Sequence, residues 1–295
     1  EMPRVCEDHD VAVAKMASPP DLTRPGAVES VDWAARSAAG RERSRGYADD
    51  VYDALALNGF TDKTIVDPAF GGWSEEKTLG DDRETFRRLR EFRGLGYPIL
   101  VSINRKNFLR EVTGRSTEEA LPVSLAATSM AVERGAHVIR THDVEETKDA
   151  AYIGHEFARS RLRGPGGGRD AGDVAVEELD VTTTQEAERH LDRIGAEESA
   201  AVAGDAVVRV IELSGLSDPA VGALSTAAVE TGVTVVADEA TAEPVASADG
   251  GEPATGRRVL LFGTPRRISA LEDAVDDDGG DALSDALGTI AAAVE

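Results

Sequence analysis

Four short apolar runs, each followed by a longer stretch of helical periodicity, constrain the first 160 residues more than any other feature. Val11-Ala12-Val13-Ala14-Lys15-Met16, Thr64-Ile65-Val66, Pro98-Ile99-Leu100-Val101-Ser102-Ile103 and His137-Val138-Ile139-Arg140 read as strands. Between and after them lie helical patterns at Ser30–Leu57, Asp82–Arg93, Thr117–Arg134 and Val144–Leu162. Phe86, Leu89 and Phe92 share one face of the second helix, and Ser116 with Glu119 forms a capping pair for the third. Regular strand–helix alternation requires parallel strands, because each helix must carry the chain back before the next strand begins. In such folds the polar residues just after the strands share one mouth. Here those residues are Met16, Asp67, Asn104-Arg105-Lys106 and Arg140-Thr141-His142-Asp143.

Gly164-Pro165-Gly166-Gly167-Gly168 breaks the pattern. The chain thus divides into a β/α region at 1–162, a Gly-rich linker at 163–175 and an acidic α/β domain at 176–295. The last is expected to contain strands at Glu177–Val181, Val233–Val236 and Val259–Phe262, with a further apolar stretch at Val207–Leu213. Helices are expected at Thr184–Ile194 and Ala220–Thr231, with a final Ala-rich helix and a polar loop at 238–256.

Charge narrows the function classes. Among 295 residues there are 55 acids and 32 bases, for a formal net charge of −23. Only Lys15, Lys63, Lys77, Lys106 and Lys148 are lysines. A surface this acidic repels nucleic-acid phosphate and anionic membranes. With so few lysines it predicts adaptation to a salt-rich cytoplasm, as in halophilic archaea. Cys6 is the sole cysteine, so there is no internal disulfide and no metal-binding cysteine cluster. No apolar run approaches the ~18 residues of a membrane span, and the N-terminus does not read as a signal peptide. A cytoplasmic protein is expected. The first residues read as the middle of a domain, which predicts N-terminal truncation.

The strand-end motifs, in order, resemble those of dihydropteroate synthases. Asp67-Pro68-Ala69-Phe70-Gly71 is similar to that family's Asp-Pro-Gly-x-Gly loop, and Asn104-Arg105-Lys106-Asn107-Phe108 to its Ser-Arg-Lys-Ser-Phe motif. Ser124-Leu125-Ala126-Ala127 resembles the start of its penultimate helix. Arg140-Thr141-His142-Asp143-Val144 with Glu146-Thr147 resembles its Arg-x-His-Asp-Val-x-Glu-Thr ending. The resemblance covers about residues 1–155. It implies the last four β/α units of a (β/α)₈ barrel; the family's Asn-x-Thr-Pro-Asp-Ser-Phe strand and its next three motifs have no counterpart. Thr23-Arg24-Pro25-Gly26 echoes one of them after the wrong strand and is set aside as coincidence. Residues 177–195 and 260–264 are similar to a small extension at the other end of some bacterial synthases.

The resemblance implies a transferase that joins a pterin diphosphate to p-aminobenzoate and releases diphosphate. It implies Mg²⁺ with the diphosphate, through a side chain of the missing first strand, and a homodimer. Arg140 and His142 then hold the diphosphate; the structural alternative is an Arg140–Asp143 ion pair beside a satisfied His142. Asp67 accepts from the pterin edge, or is merely an Asp-Pro turn residue. Lys106 bonds the pterin carbonyl, or is a surface lysine. Met16 packs on the pterin, or in the core. Asn107, Phe70 and Trp73 lie near p-aminobenzoate, with plain loop packing the even alternative for Phe70; Arg105 supports its loop. Lys106, Arg140 and His142 are the candidate catalytic residues. Competing readings are a pterin-binding methyltransferase domain, against which a diphosphate-binding Arg and His argue, and a non-catalytic fragment. His9, His137, His155 and His190 carry no motif and read as surface or packing residues.

Overall fold

The computed structural model describes residues 2–17, 46–56, 61–71, 77–159, 176–239, 256–275 and 280–294. The chain forms two compact units, Glu1–Leu179 and Asp180–Glu295.

Each of the four apolar runs of the first unit becomes a strand. They are β1 (Val13–Met16), β2 (Thr64–Asp67), β3 (Ile99–Val101) and β4 (Ala136–Ile139). Their order in the sheet is β1-β2-β3-β4 and every pairing is parallel. Sequential parallel order places all four C-terminal ends along one rim. Register brings Met16 beside Asp67, and the Arg140 N–H donates to the Val101 carbonyl at 3.0 Å. Val66, Ile99 and Val101 are fully buried in the core with Val51, Leu55, Phe86, Leu89, Phe92 and Phe108. Asp67 follows Val66 and so turns to the other face of the sheet.

The helices are α1 (Met2–Asp8), α2 (Tyr47–Ala56), α3 (Leu79–Arg87), α4 (Asn107–Thr113), α5 (Leu121–Glu133) and α6 (Val144–Glu156). Two of the helix expectations need correction. Asp82–Arg93 is not one helix: α3 ends at Arg87, and a 3₁₀ segment follows at Leu89–Leu95. Leu89 and Phe92 are three apart, a spacing that 3₁₀ geometry stacks as readily as α. Thr117–Arg134 likewise opens with a 3₁₀ turn at Glu118–Ala120, and α5 starts one residue before Pro122, which has no N–H to continue an earlier ladder. The Ser116–Glu119 pair is reciprocal, with both backbone-to-side-chain bonds at 3.3 Å. Helix α4 was not foreseen.

The second unit contains α7 (Thr184–Arg193), α8 (Ser199–Ala203), β5 (Arg209–Leu216), α9 (Asp218–Thr231), β6 (Thr234–Ala237), β7 (Arg257–Gly263), α10 (Pro265–Ala274) and α11 (Asp281–Val294). Its sheet is antiparallel, in the order β5-β7-β6. Leu213, Leu224, Val259, Leu261, Ile268, Leu271, Leu283 and Leu287 build its core between sheet and helices. The expected strand at Glu177–Val181 does not form; Glu177 is an isolated bridge, and Asp180 takes φ 51°, which breaks extended backbone. The 163–175 linker, most of the Ser30–Leu57 helix and most of the 238–256 loop lie outside the described residues. Among the described residues no helix is long and apolar enough to cross a membrane.

Candidate active site

Asp67, Lys106 and the Arg140–His142 pair stand at the ends of three successive strands of the parallel sheet. Asp67 closes β2 and is only 4% exposed. Its Oδ1 accepts from the Ala69 N–H at 2.8 Å, an Asx turn that folds the Asp-Pro loop back on itself. Ala69 sits in left-handed backbone at φ 63° and Gly71 at φ 116°. Burial pushes the Asp67 carboxyl above its ordinary value. The Ala69 N–H and the charges of Arg140, Lys106 and Lys77 pull it back.

Lys106 is the N-cap of α4, in the loop after β3. Its side chain is half-buried over the Asp-Pro loop: a Cβ on Gly71 would lie 2.8 Å from the Lys106 Nζ. Burial lowers the Lys106 pKa. Asp82 and Asp67 support its charge, while Arg140 and Lys77 oppose it. Asp67, Lys106 and Arg140 therefore share one electrostatic neighbourhood, although they come from different strands.

Arg140 and His142 are exposed after β4, and neither side chain makes a hydrogen bond or ion pair among the described residues. The Arg140–Asp143 alternative does not occur. Asp143 is taken instead by Arg105, whose Nε and Nη2 reach its two oxygens at 2.9 and 3.1 Å, and by the Asn104 Nδ2 at 2.9 Å. These partners hold the Asp143 carboxyl down to about 2. The Arg105 Nη1 also donates to the carbonyls of Thr117 and Glu118, and its backbone N–H donates to Ser124 Oγ. Arg105 is thus a loop-supporting residue, as expected, and Asn104 joins it.

The remaining candidates are less uniform. Met16 is partly buried against the core. Phe70 is 1% exposed and stacks on Phe108 at 5.6 Å, with Phe86 edge-on at 6.1 Å. The ring packs in the core. Asn107 is exposed at the start of α4, where its Oδ1 accepts from Arg110. Trp73 lies outside the described residues.

Sequence reasoning passed over Lys77 and Asp82. Their side chains form a buried ion pair at 2.7 Å beneath the Asp-Pro loop. The one available signal was the scarcity of lysine, which singles out Lys77 as it does Lys106. Among the described residues no group of three His, Cys, Asp or Glu side chains could hold a metal ion.

Residues 1–142 match the family model of pterin binding enzymes. The dihydropteroate synthase of Escherichia coli K12 is 37% identical over 92 residues, which is 31% of this chain and 32% of that one. That of Bacillus subtilis is 33% identical over 82 residues, 28% of each chain. Among solved structures, the dihydropteroate synthase of Thermus thermophilus in complex with 4-aminobenzoate aligns with a TM-score of 0.41 and 26% identity. That alignment covers 53% of this chain and 60% of the other. The chain spans about a third of the length of the curated relatives it matches.

Proposed function

We propose that the first unit carries the C-terminal part of a dihydropteroate synthase site. The reaction is the condensation of 6-hydroxymethyl-dihydropterin diphosphate with p-aminobenzoate, releasing diphosphate. One observation carries this reading: a buried carboxylate, a half-buried lysine and an exposed arginine share a neighbourhood on one rim. Each has the chemistry its part needs. The Asp67 carboxylate can accept two adjacent N–H donors of an amino-pyrimidinone edge. Lys106 beside it donates to the pterin carbonyl and stabilises negative charge on the ring. Arg140 offers a planar fork to phosphate oxygens, and His142 two residues on adds a donor. Donors held in place as the diphosphate departs lower the barrier without reorganising. Asn107 and Trp73 are proposed for p-aminobenzoate. Phe70, buried against Phe86 and Phe108, is proposed for loop packing rather than for substrate contact.

The Mg²⁺ that the resemblance implies belongs with the diphosphate. The residues proposed there are cationic or neutral donors and do not form a metal site themselves, so no step is routed through the ion. A homodimer and a salt-rich cytoplasm remain part of the proposal.

The test is a difference in ligand dependence. Arg140→Ala is expected to weaken 6-hydroxymethyl-dihydropterin diphosphate by about tenfold to a hundredfold, from the ~1.5–3 kcal/mol of a charge-assisted bond. The pterin without diphosphate should bind it nearly unchanged. Asp67→Ala should weaken both ligands alike. Calorimetry in high salt reads these outcomes. Equal weakening of both ligands in a folded Arg140→Ala protein would overturn the placement of the diphosphate.

A further inference from the structure

The Lys77–Asp82 pair is the most buried charged group near the rim, and no part of the proposed chemistry uses it. Both side chains are 3% exposed. Removing two charges from water costs more than a pair usually recovers, so burial here is not explained by stability alone. The hydrogen bonds show what the pair touches. The Gly71 N–H donates to both Asp82 oxygens, each at 3.1 Å. The Lys77 Nζ donates to the Ala69 carbonyl at 2.6 Å and lies 5.5 Å from the centre of the Tyr47 ring. The ion pair therefore grips the turn at two points, Ala69 and Gly71, which are its two left-handed residues. That turn carries Asp67 at one end and forms the floor under the Lys106 Nζ at the other.

We propose that Asp82 is a positioning residue, with Lys77 as its counter-ion: it fixes the Ala69–Gly71 turn and thereby seats Lys106 beside Asp67. This deepens the functional reading above and rests on it only for the identity of the ligand.

Single substitutions would leave a buried charge alone and could unfold the unit. The test therefore compares two double variants, Lys77→Met with Asp82→Asn and Lys77→Met with Asp82→Ala. Neither contains an unpaired charge from this pair. They differ in one respect: the Asn amide oxygen can still accept from the Gly71 N–H, and Ala cannot. Two readouts are taken on the full chain. The first needs no ligand. With five lysines in the sequence, ¹³C-lysine NMR can follow Lys106, assigned by Lys106→Arg. Lys106 is expected to titrate below the ordinary lysine value in the wild type and in the Asn variant, and to return toward it in the Ala variant as the side chain leaves its seat. Among the described residues, the charges that act on Lys106 include Asp82, Arg140, Lys77 and Asp67. The first and third are changed in charge identically in both variants, so the comparison isolates the turn. The second readout is calorimetric affinity for 6-hydroxymethyl-dihydropterin, expected to be on the order of tenfold weaker in the Ala variant than in the Asn variant.

Unchanged Lys106 titration between the two variants overturns the proposal, whatever the ligand does. Equal pterin affinity in both, with the wild type binding, overturns it as well. A Lys106 that responds as expected in a chain that binds no pterin leaves the positioning intact and overturns pterin binding by this chain alone.

Discussion

Asp143 joins two loops, and its titration measures how well they are joined. Its carboxyl is held at about 2, against an ordinary 3.8, first by Arg105 and then by Asn104. A depressed carboxylate contributes stability that is complete above its unfolded value and is lost as pH falls through its folded one. The relevant window is thus from 3.8 down to about 2. Asp143→Asn should lower stability above that window, where the contribution is complete, flatten the fall across it and change little below it. All four tyrosines, Tyr47, Tyr52, Tyr97 and Tyr152, lie in the first unit, so near-ultraviolet circular dichroism reads its unfolding. An unfolding midpoint that falls equally steeply in wild type and variant would refute the claim that this contact sets the acid limb. The rim itself was legible because Asp67, Lys106, Arg140 and His142 are polar residues that interrupt apolar runs at fixed places. Lys77 and Asp82 were not legible. They gain their meaning only when the turn lies over them, and a Lys and an Asp five apart are common on any solvated helix end. The packing of Phe70 was illegible for a related reason: its neighbours Phe86 and Phe108 come from other elements, and position in a loop does not say which way a ring turns.

At the level of elements, α3 matters more than its length suggests, because it presents Asp82 to the turn. It begins with a full capping box: Thr78 Oγ1 accepts from the Asp81 N–H, and the Asp81 carboxylate accepts from the Thr78 N–H at 2.7 Å. Thr78→Ala should destabilise the first unit by about 1 kcal/mol, as read by urea unfolding followed through circular dichroism. No change would mean that packing of Phe86 and Thr85 suffices to hold the helix start. The strands of both units were legible because alternation and apolar runs are local signals. Short helices were not. Helix α4 spans Asn107–Thr113, two turns with one buried residue, Phe108, and so has no period to detect. Helix α8 is shorter still. The break of α3 into a 3₁₀ segment was hidden because it depends on Arg88, whose guanidinium bonds Asp49, Glu84 and Glu91, one of them 39 residues away.

For the whole molecule, a net charge of −23 opposes compaction at low ionic strength. Salt shortens the reach of that repulsion, from about 10 Å at 0.1 M to about 3 Å at 1 M. Unfolding midpoints should therefore rise as KCl increases from 0.1 to roughly 2 M; a flat or falling trend would refute the salt-adapted reading. The same screening bears on the sheet of the first unit, where β1 pairs only with β2 and β4 only with β3 among the described residues. Among the described residues the outer sides of these two strands have no strand neighbour, and an edge of that kind is a template for another chain. Between two copies, mutual repulsion at low salt keeps these templates apart. Salt that secures each copy also lowers the barrier between copies, so the conditions that best preserve the fold are those in which strand-to-strand association has the least to overcome.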